Sequence, residues 1–167
     1  MWEYIKTIVI AIAIVVPVRM YVAQPFIVEG ASMEPNFHGG DYLIIDELSY
    51  QFREPMRGEV VVFRYPLNPR NFFIKRIVGL PGEEIEIRDG SIFITGLSGA
   101  LGESYLPNDL LTVPDVRVRL GSDQYFVLGD NRAHSSDSRA WGTLPGENIT
   151  GRALVRLFPI TKIDLLP

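Results

Sequence analysis

The sequence predicts a mainly β fold: antiparallel strands coiled into a barrel-like or sandwich body behind a single N-terminal helix. Three observations point there. Short runs rich in Val, Ile, Phe and Tyr recur between residues 25 and 165, separated by turns bearing Gly and Pro. No apolar pattern of helical period and useful length follows residue 30. Residues 7–18 are uncharged and mostly apolar, unlike anything downstream.

That first segment has three readings. A membrane-spanning helix needs about 20 residues. The segment reaches that length if it extends from Trp2 to Val22 and Lys6 and Arg19 snorkel outwards, with Trp2, Tyr4 and Tyr21 at interfacial positions and Pro17 kinking the last turn. A cleaved leader wants a small-x-small site, which Tyr21-Val22-Ala23-Gln24-Pro25 supplies poorly. A buried soluble helix wants a polar face, and residues 8–16 have none. The expectation is a transmembrane anchor over 1–23 and a folded body over 24–167. Lys6 and Arg19 flank both ends, so the charge rule for orientation is nearly silent.

The body then runs in order. Strands are expected at 25–30, 41–46, 59–65 and 72–78, with a turn at 55–58 and a loop at 66–70. Segments 84–88 and 91–95 alternate about Asp89-Gly90, the signature of a two-residue hairpin. Residues 96–115 have little periodicity and read as an inserted loop, within an insertion spanning about 83–124. Strands at 116–120, 125–128, 153–158 and 162–165 complete the set. There is no internal repeat.

Composition removes several function classes. The chain has 167 residues, 47% of them hydrophobic and 22% charged, which suits a folded domain rather than a disordered one. A net charge of −4 offers no basic field for nucleic acid. The absence of cysteine excludes disulfides, thiolate catalysis and sulfur-ligated metals. His38 and His134 are the only histidines, too few for an ordinary zinc site; a serine–histidine triad would have to use one of them. No metal or cofactor is expected.

The chemistry gathers at three stretches. In Gly30-Ala31-Ser32-Met33-Glu34-Pro35, a serine sits between small residues and a proline turn, either as an ordinary loop serine or with its hydroxyl facing a groove. In the strand at 72–78, Phe73, Lys75 and Ile77 share one face, Ile74 and Arg76 the other. Lys75 on an edge strand would simply point to water. Yet adjacent cations on opposite faces cannot both be solvated if one face is core. A lysine pressed among apolar groups loses solvation of its charged form, so its pKa falls and a neutral amine becomes available to take a serine proton. The third stretch, Gly129-Asp130-Asn131-Arg132 through Ser135, Asp137, Ser138 and Arg139, puts polar groups where packing does not ask for them.

These stretches, with Gly58 to Pro66 and Gly79-Leu80-Pro81-Gly82, resemble bacterial type I signal peptidases in order, from the apolar segment to about Gly151. The resemblance implies a membrane-bound serine endopeptidase that removes signal peptides from exported preproteins. It implies a single pass through the cytoplasmic membrane, with the catalytic body on the extracytoplasmic side. Carried onto this sequence, Ser32 is the nucleophile, Lys75 the general base and Ser135 the group that orients the lysine amine. The Ser32 N–H would donate to the oxyanion. Some members have a serine two positions earlier as a second donor; here Gly30 stands there. Asn36 stands where threonine is common. Asp130 would pair with Arg76, and Asp137 with Arg139, as scaffolding. An extended peptide would add as a strand between 26–30 and 72–75. Phe26, Val28, Met33, Phe37 and Ile74 would line shallow pockets for small residues at the first and third positions before the cut. The expected partners are preprotein signal peptides and the lipid bilayer, with no nucleic acid and no metal.

Three rivals remain. A penicillin-binding-type enzyme needs Ser-x-x-Lys on a helix, which does not occur. Self-cleaving repressors share the catalytic body but carry a DNA-binding helical domain in place of an apolar segment. A catalytically dead tethered module is separated only by activity.

Overall fold

The computed structural model describes residues 2–21 and 23–166, and the side chains of all of these except 14–23. Helix α1 (Trp2–Tyr21) leads into β1 (Ala23–Ile27), β2 (Tyr42–Asp46), β3 (Val60–Tyr65) and β4 (Asn68–Gly79). Next come β5 (Glu84–Arg88), β6 (Ser91–Ile94), β7 (Val116–Arg119), β8 (Gln124–Leu128) and the short helix α2 (Ser138–Trp141). Strands β9 (Leu144–Pro145), β10 (Ile149–Phe158) and β11 (Asp164–Leu165) close the chain.

The fold is mainly β, and every described strand pairing is antiparallel. One sheet runs β1-β2-β10-β3-β4-β8-β9 with β11 beside β10, and a smaller one runs β6-β5-β7. The expected barrel is not closed. Among the described residues β1 pairs only with β2, and β4 is paired to β8 only over Arg76–Gly79. The first part of β4 therefore keeps a free edge, because β8 is too short to cover it.

β3 is why the body holds together. Val60 and Val62 bury into a core with Val28, Met33, Phe37, Leu43 and Ile45. Val61 and Phe63, pointing the other way, bury with Ile77, Tyr125, Val127 and Leu144. A strand covered on both faces must be apolar throughout, and VVVF is. Val78, Ile85, Ile87 and Phe126 join a third core under the small sheet. The Asp89-Gly90 turn has φ of 50° and 76°, the left-handed pair that a two-residue hairpin requires.

α1 is 20 residues long, about 30 Å of helix at 1.5 Å per residue. Ile5, Ile8, Val9, Ile10 and Ile12 are exposed on it. Among the described residues no helix is long and apolar enough to cross a membrane. The expectations placed on Val22 and on the side chains of Pro17, Arg19 and Tyr21 lie outside the described residues.

Candidate active site

Ser32 lies half-buried in the turn between β1 and β2. Its neighbour Gly30 has φ +77°, a conformation in which an L side chain is strained. Met33 and Phe37, 1% and 2% exposed, plug the turn into the core. The loop after β8 holds the turn from the other side. The Asn131 N–H donates to the Ser32 carbonyl at 3.0 Å, and Asn131 Nδ2 donates to the Ala31 carbonyl at 3.0 Å. Gly129 makes that approach possible: a Cβ there would lie 2.1 Å from Ser135 Oγ and 2.5 Å from the Ser32 carbonyl oxygen.

β4 brings Lys75 to the same point. Its side chain is 4% exposed, and its Nζ lies 2.8 Å from Ser32 Oγ and 2.8 Å from the Ile74 carbonyl oxygen. Burial lowers the amine from 10.5 to about 8, against an opposing pull from the carboxylates of Asp137 and Asp130. A neutral amine has two N–H groups and one lone pair. With one N–H given to the Ile74 carbonyl, a neutral amine still has a lone pair with which to accept from the Ser32 hydroxyl 2.8 Å away.

Arg76, the next residue, is 5% exposed and fully paired. Its Nε and Nη2 donate to the two oxygens of Asp130 at 2.9 and 2.6 Å, and Nη1 donates to the Gly58 carbonyl at 2.8 Å. Its guanidinium lies 4.0 Å from the centre of the Tyr105 ring. Arg139 makes a second fork, donating to the two oxygens of Asp137 at 2.8 Å each. Burial pushes the Asp137 carboxyl up, but Arg139 and the Gly129 N–H hold it below the usual carboxylate range.

Ser135 does not meet the sequence expectation. Its Oγ is buried over Gly129 with no hydrogen-bond partner, so it does not bond the Lys75 amine here. The amine is already turned to Ser32 and Ile74.

A cleft of about 600 Å³ runs past Ser32 and Lys75. Phe26, Val28 and Ile74 line it as expected. Met33 and Phe37 do not; they belong to the core beneath, because the turn folds them inward under Ser32. Leu43 and Val62, unassigned from sequence, form part of the lining instead, with Glu29 and Ser136. Their signal was available in the alternation of β2 and β3.

Sequence reasoning also missed how the 96–115 segment serves the site. Asn36 Nδ2 donates to Asp130 Oδ2 at 2.8 Å and to the Tyr105 carbonyl at 2.9 Å, tying the Ser32 turn to both. Buried Arg132 donates to both oxygens of Glu103 and to Thr112 Oγ1. The segment therefore caps the Arg76–Asp130 pair. His134 is exposed. Among the described residues no group of three His, Asp or Glu could hold a metal ion.

A family model described as signal peptidase, peptidase S26, matches residues 1–158. The chain belongs to the signal peptidase family. Signal peptidase I of Leptolyngbya laminosa is 37% identical over 174 residues, covering 98% of this chain and 83% of that one. A probable signal peptidase I-2 of Synechocystis is 42% identical over 168 residues, covering 96% of this chain and 75% of that one. The crystal structure of a signal peptidase I from Enterococcus faecalis superposes with a TM-score of 0.52 at 30% identity, over 60% of this chain and 97% of that one. The activity that goes with membership is that of signal peptidase I, cleavage of signal peptides from preproteins.

Proposed function

We propose that the chain is a membrane-bound serine endopeptidase that cleaves exported preproteins with Ser32 as nucleophile and neutral Lys75 as general base. The single observation that carries this reading is the 2.8 Å approach of a buried amine to the Ser32 hydroxyl. Ser32 Oγ attacks the scissile carbonyl as its proton passes to Lys75 Nζ. The Ser32 N–H stabilises the oxyanion. The lysinium then protonates the leaving amine, leaving an acyl-enzyme and a neutral Lys75. That amine takes a proton from a water as it attacks the ester, then returns the proton to Ser32 Oγ as the acid product leaves, which restores the hydroxyl and the neutral amine. With the amine at about 8, roughly a tenth of it is neutral at pH 7. Ser135, whose buried hydroxyl is unpartnered, is the group that takes the second N–H of the amine during turnover. Gly30 supplies no side-chain donor, so the second oxyanion donor is backbone or water.

The substrate binds as an extended strand between 26–30 and the free edge of β4 at 72–75. The Phe26, Val28 and Ile74 side chains, with Leu43 and Val62, leave room for small residues at the first and third positions before the cut. α1 anchors the chain in the cytoplasmic membrane, and the body lies on the extracytoplasmic side. Ile27 and Phe72, exposed at the lip of the cleft, meet the bilayer surface from which the substrate arrives.

The test uses the full chain in detergent with one exported preprotein, the new N-terminus being read by mass. The wild type should release a single mature product at a rate that rises with pH about a midpoint near 8. Ser32→Ala should release none. Product from Ser32→Ala, or a midpoint at the ordinary lysine value of 10.5, refutes the mechanism.

A further inference from the structure

We propose that Glu29 is a specificity-determining carboxylate that favours a cationic, and rejects an anionic, side chain at the second substrate residue before the cut. The inference rests on the strand-addition reading above and deepens it.

Three observations carry it. First, the backbone of β1 is committed on alternate residues. The Val28 N–H donates to the Asp41 carbonyl and the Val28 carbonyl accepts from the Gly40 N–H, both at 2.9 Å. Val28 thus faces β2, so the polar main-chain groups of Ile27 and Glu29 face the open edge. A substrate strand would bond to those two residues. Second, side chains alternate. Phe26 and Val28 pack towards the core under the cleft, whereas Ile27 is 62% exposed and Glu29 is also exposed. Strands that pair side by side share faces. The first and third substrate residues before the cut lie on the Phe26–Val28 face, the first at the Ser32 end where its carbonyl must sit, which leaves the second on the outward face between Ile27 and Glu29. Third, the Glu29 charge is uncommitted. Nearby acids are neutralised: Asp41 by Arg156 and Asp46 by Arg152, each at 3.3 Å. Among the described residues Glu29 has no such ion pair. It is a cleft-lining carboxylate whose field is left for the substrate.

The experiment compares the full-length wild type, Glu29→Gln and Glu29→Lys on three peptides that differ only in carrying Lys, Gln or Glu at the second residue before the cut. The readout is the ratio of kcat/KM for the Lys and Glu peptides within each enzyme, which cancels any change in overall activity. Charges a few ångströms apart near the surface predict a wild-type ratio of about ten. Glu29→Gln should bring it close to one and Glu29→Lys should invert it. One molar salt should flatten the wild-type preference, since the screening length falls to about 3 Å. A ratio that stays fixed across the three enzymes, while Ser32→Ala leaves the Gln peptide uncut, overturns the Glu29 assignment alone. Cutting of the Gln peptide by Ser32→Ala overturns the serine–lysine reading, and this inference with it.

Discussion

Lys75 and Arg76 are neighbours on one strand, equally buried, and opposite in every other respect. Arg76 has a carboxylate fork, a backbone carbonyl and an aromatic face, so its charge is fully compensated. Lys75 has one hydroxyl, one carbonyl and the Phe73 ring 5.4 Å from its Nζ, and no carboxylate bonds it directly. A guanidinium cannot give up its proton inside a protein, so burial must be met by pairing. An ammonium can, so burial without pairing makes a base. On the mechanism proposed above, the contrast sorts these two buried cations into scaffold and base by what surrounds them.

The sharpest way to break the contrast is Lys75→Met, which keeps the apolar stem and removes the amine. Cleavage should fall at least 10³-fold, measured as preprotein processed under single-turnover conditions. Stability should move the other way. The folded pKa is lowered, so the unfolded chain binds the extra proton between about 8 and 10.5. Wild-type stability therefore rises with pH across that window, and below it the full cost of about 3 kcal/mol is present. Urea titrations should show this slope in the wild type, its absence in Lys75→Met, and a variant at least as stable at pH 7.

Arg76→Met tests the other side. It strands the buried Asp130 carboxylate and should cost about 3–5 kcal/mol, read from the urea midpoint. Because Asp130 already pulls the Lys75 amine upward, removing its arginine partner strengthens that pull. The pH–rate midpoint of the surviving enzyme should therefore rise above 8. A stable variant with an unmoved midpoint would show that Asp130 and Arg76 are not the counterweight described here.

Much of this contrast was legible in the residues, because its causes are local. Asp89-Gly90 sets its hairpin within two residues. Lys75 and Arg76 declare themselves as adjacent cations in an apolar strand. What was not legible depends on distant neighbours. β4 begins at Asn68, inside a stretch whose Pro66 and Pro69 read as loop; Pro69 is tolerated because that edge of β4 is free. The short β9 and α2 carry too few residues for any periodicity to show. Met33 and Phe37 look like cleft lining until the turn is seen to fold them under Ser32. Glu103 and Thr112 meet Arg132 across 29 and 20 residues of sequence, so no local pattern marks them. The open sheet, too, follows from strand pairing rather than from any one strand's composition.

The smallest expected effect is the one that separates position from role. Ser135 Oγ is buried and unpartnered, and such a hydroxyl costs about 1–3 kcal/mol in lost solvation. If Ser135 only packs over Gly129, Ser135→Ala should be at least as stable as the wild type and just as active. If its hydroxyl holds the second N–H of Lys75 during turnover, the same variant should be equally stable yet turn over about ten-fold more slowly, with KM little changed. The split between urea midpoint and kcat is the measurement. An unchanged kcat would mean that Ser32 and the Ile74 carbonyl suffice to aim the amine. Lys75 would then differ from Arg76 in lacking not only a carboxylate but any hydrogen-bonding side chain besides Ser32.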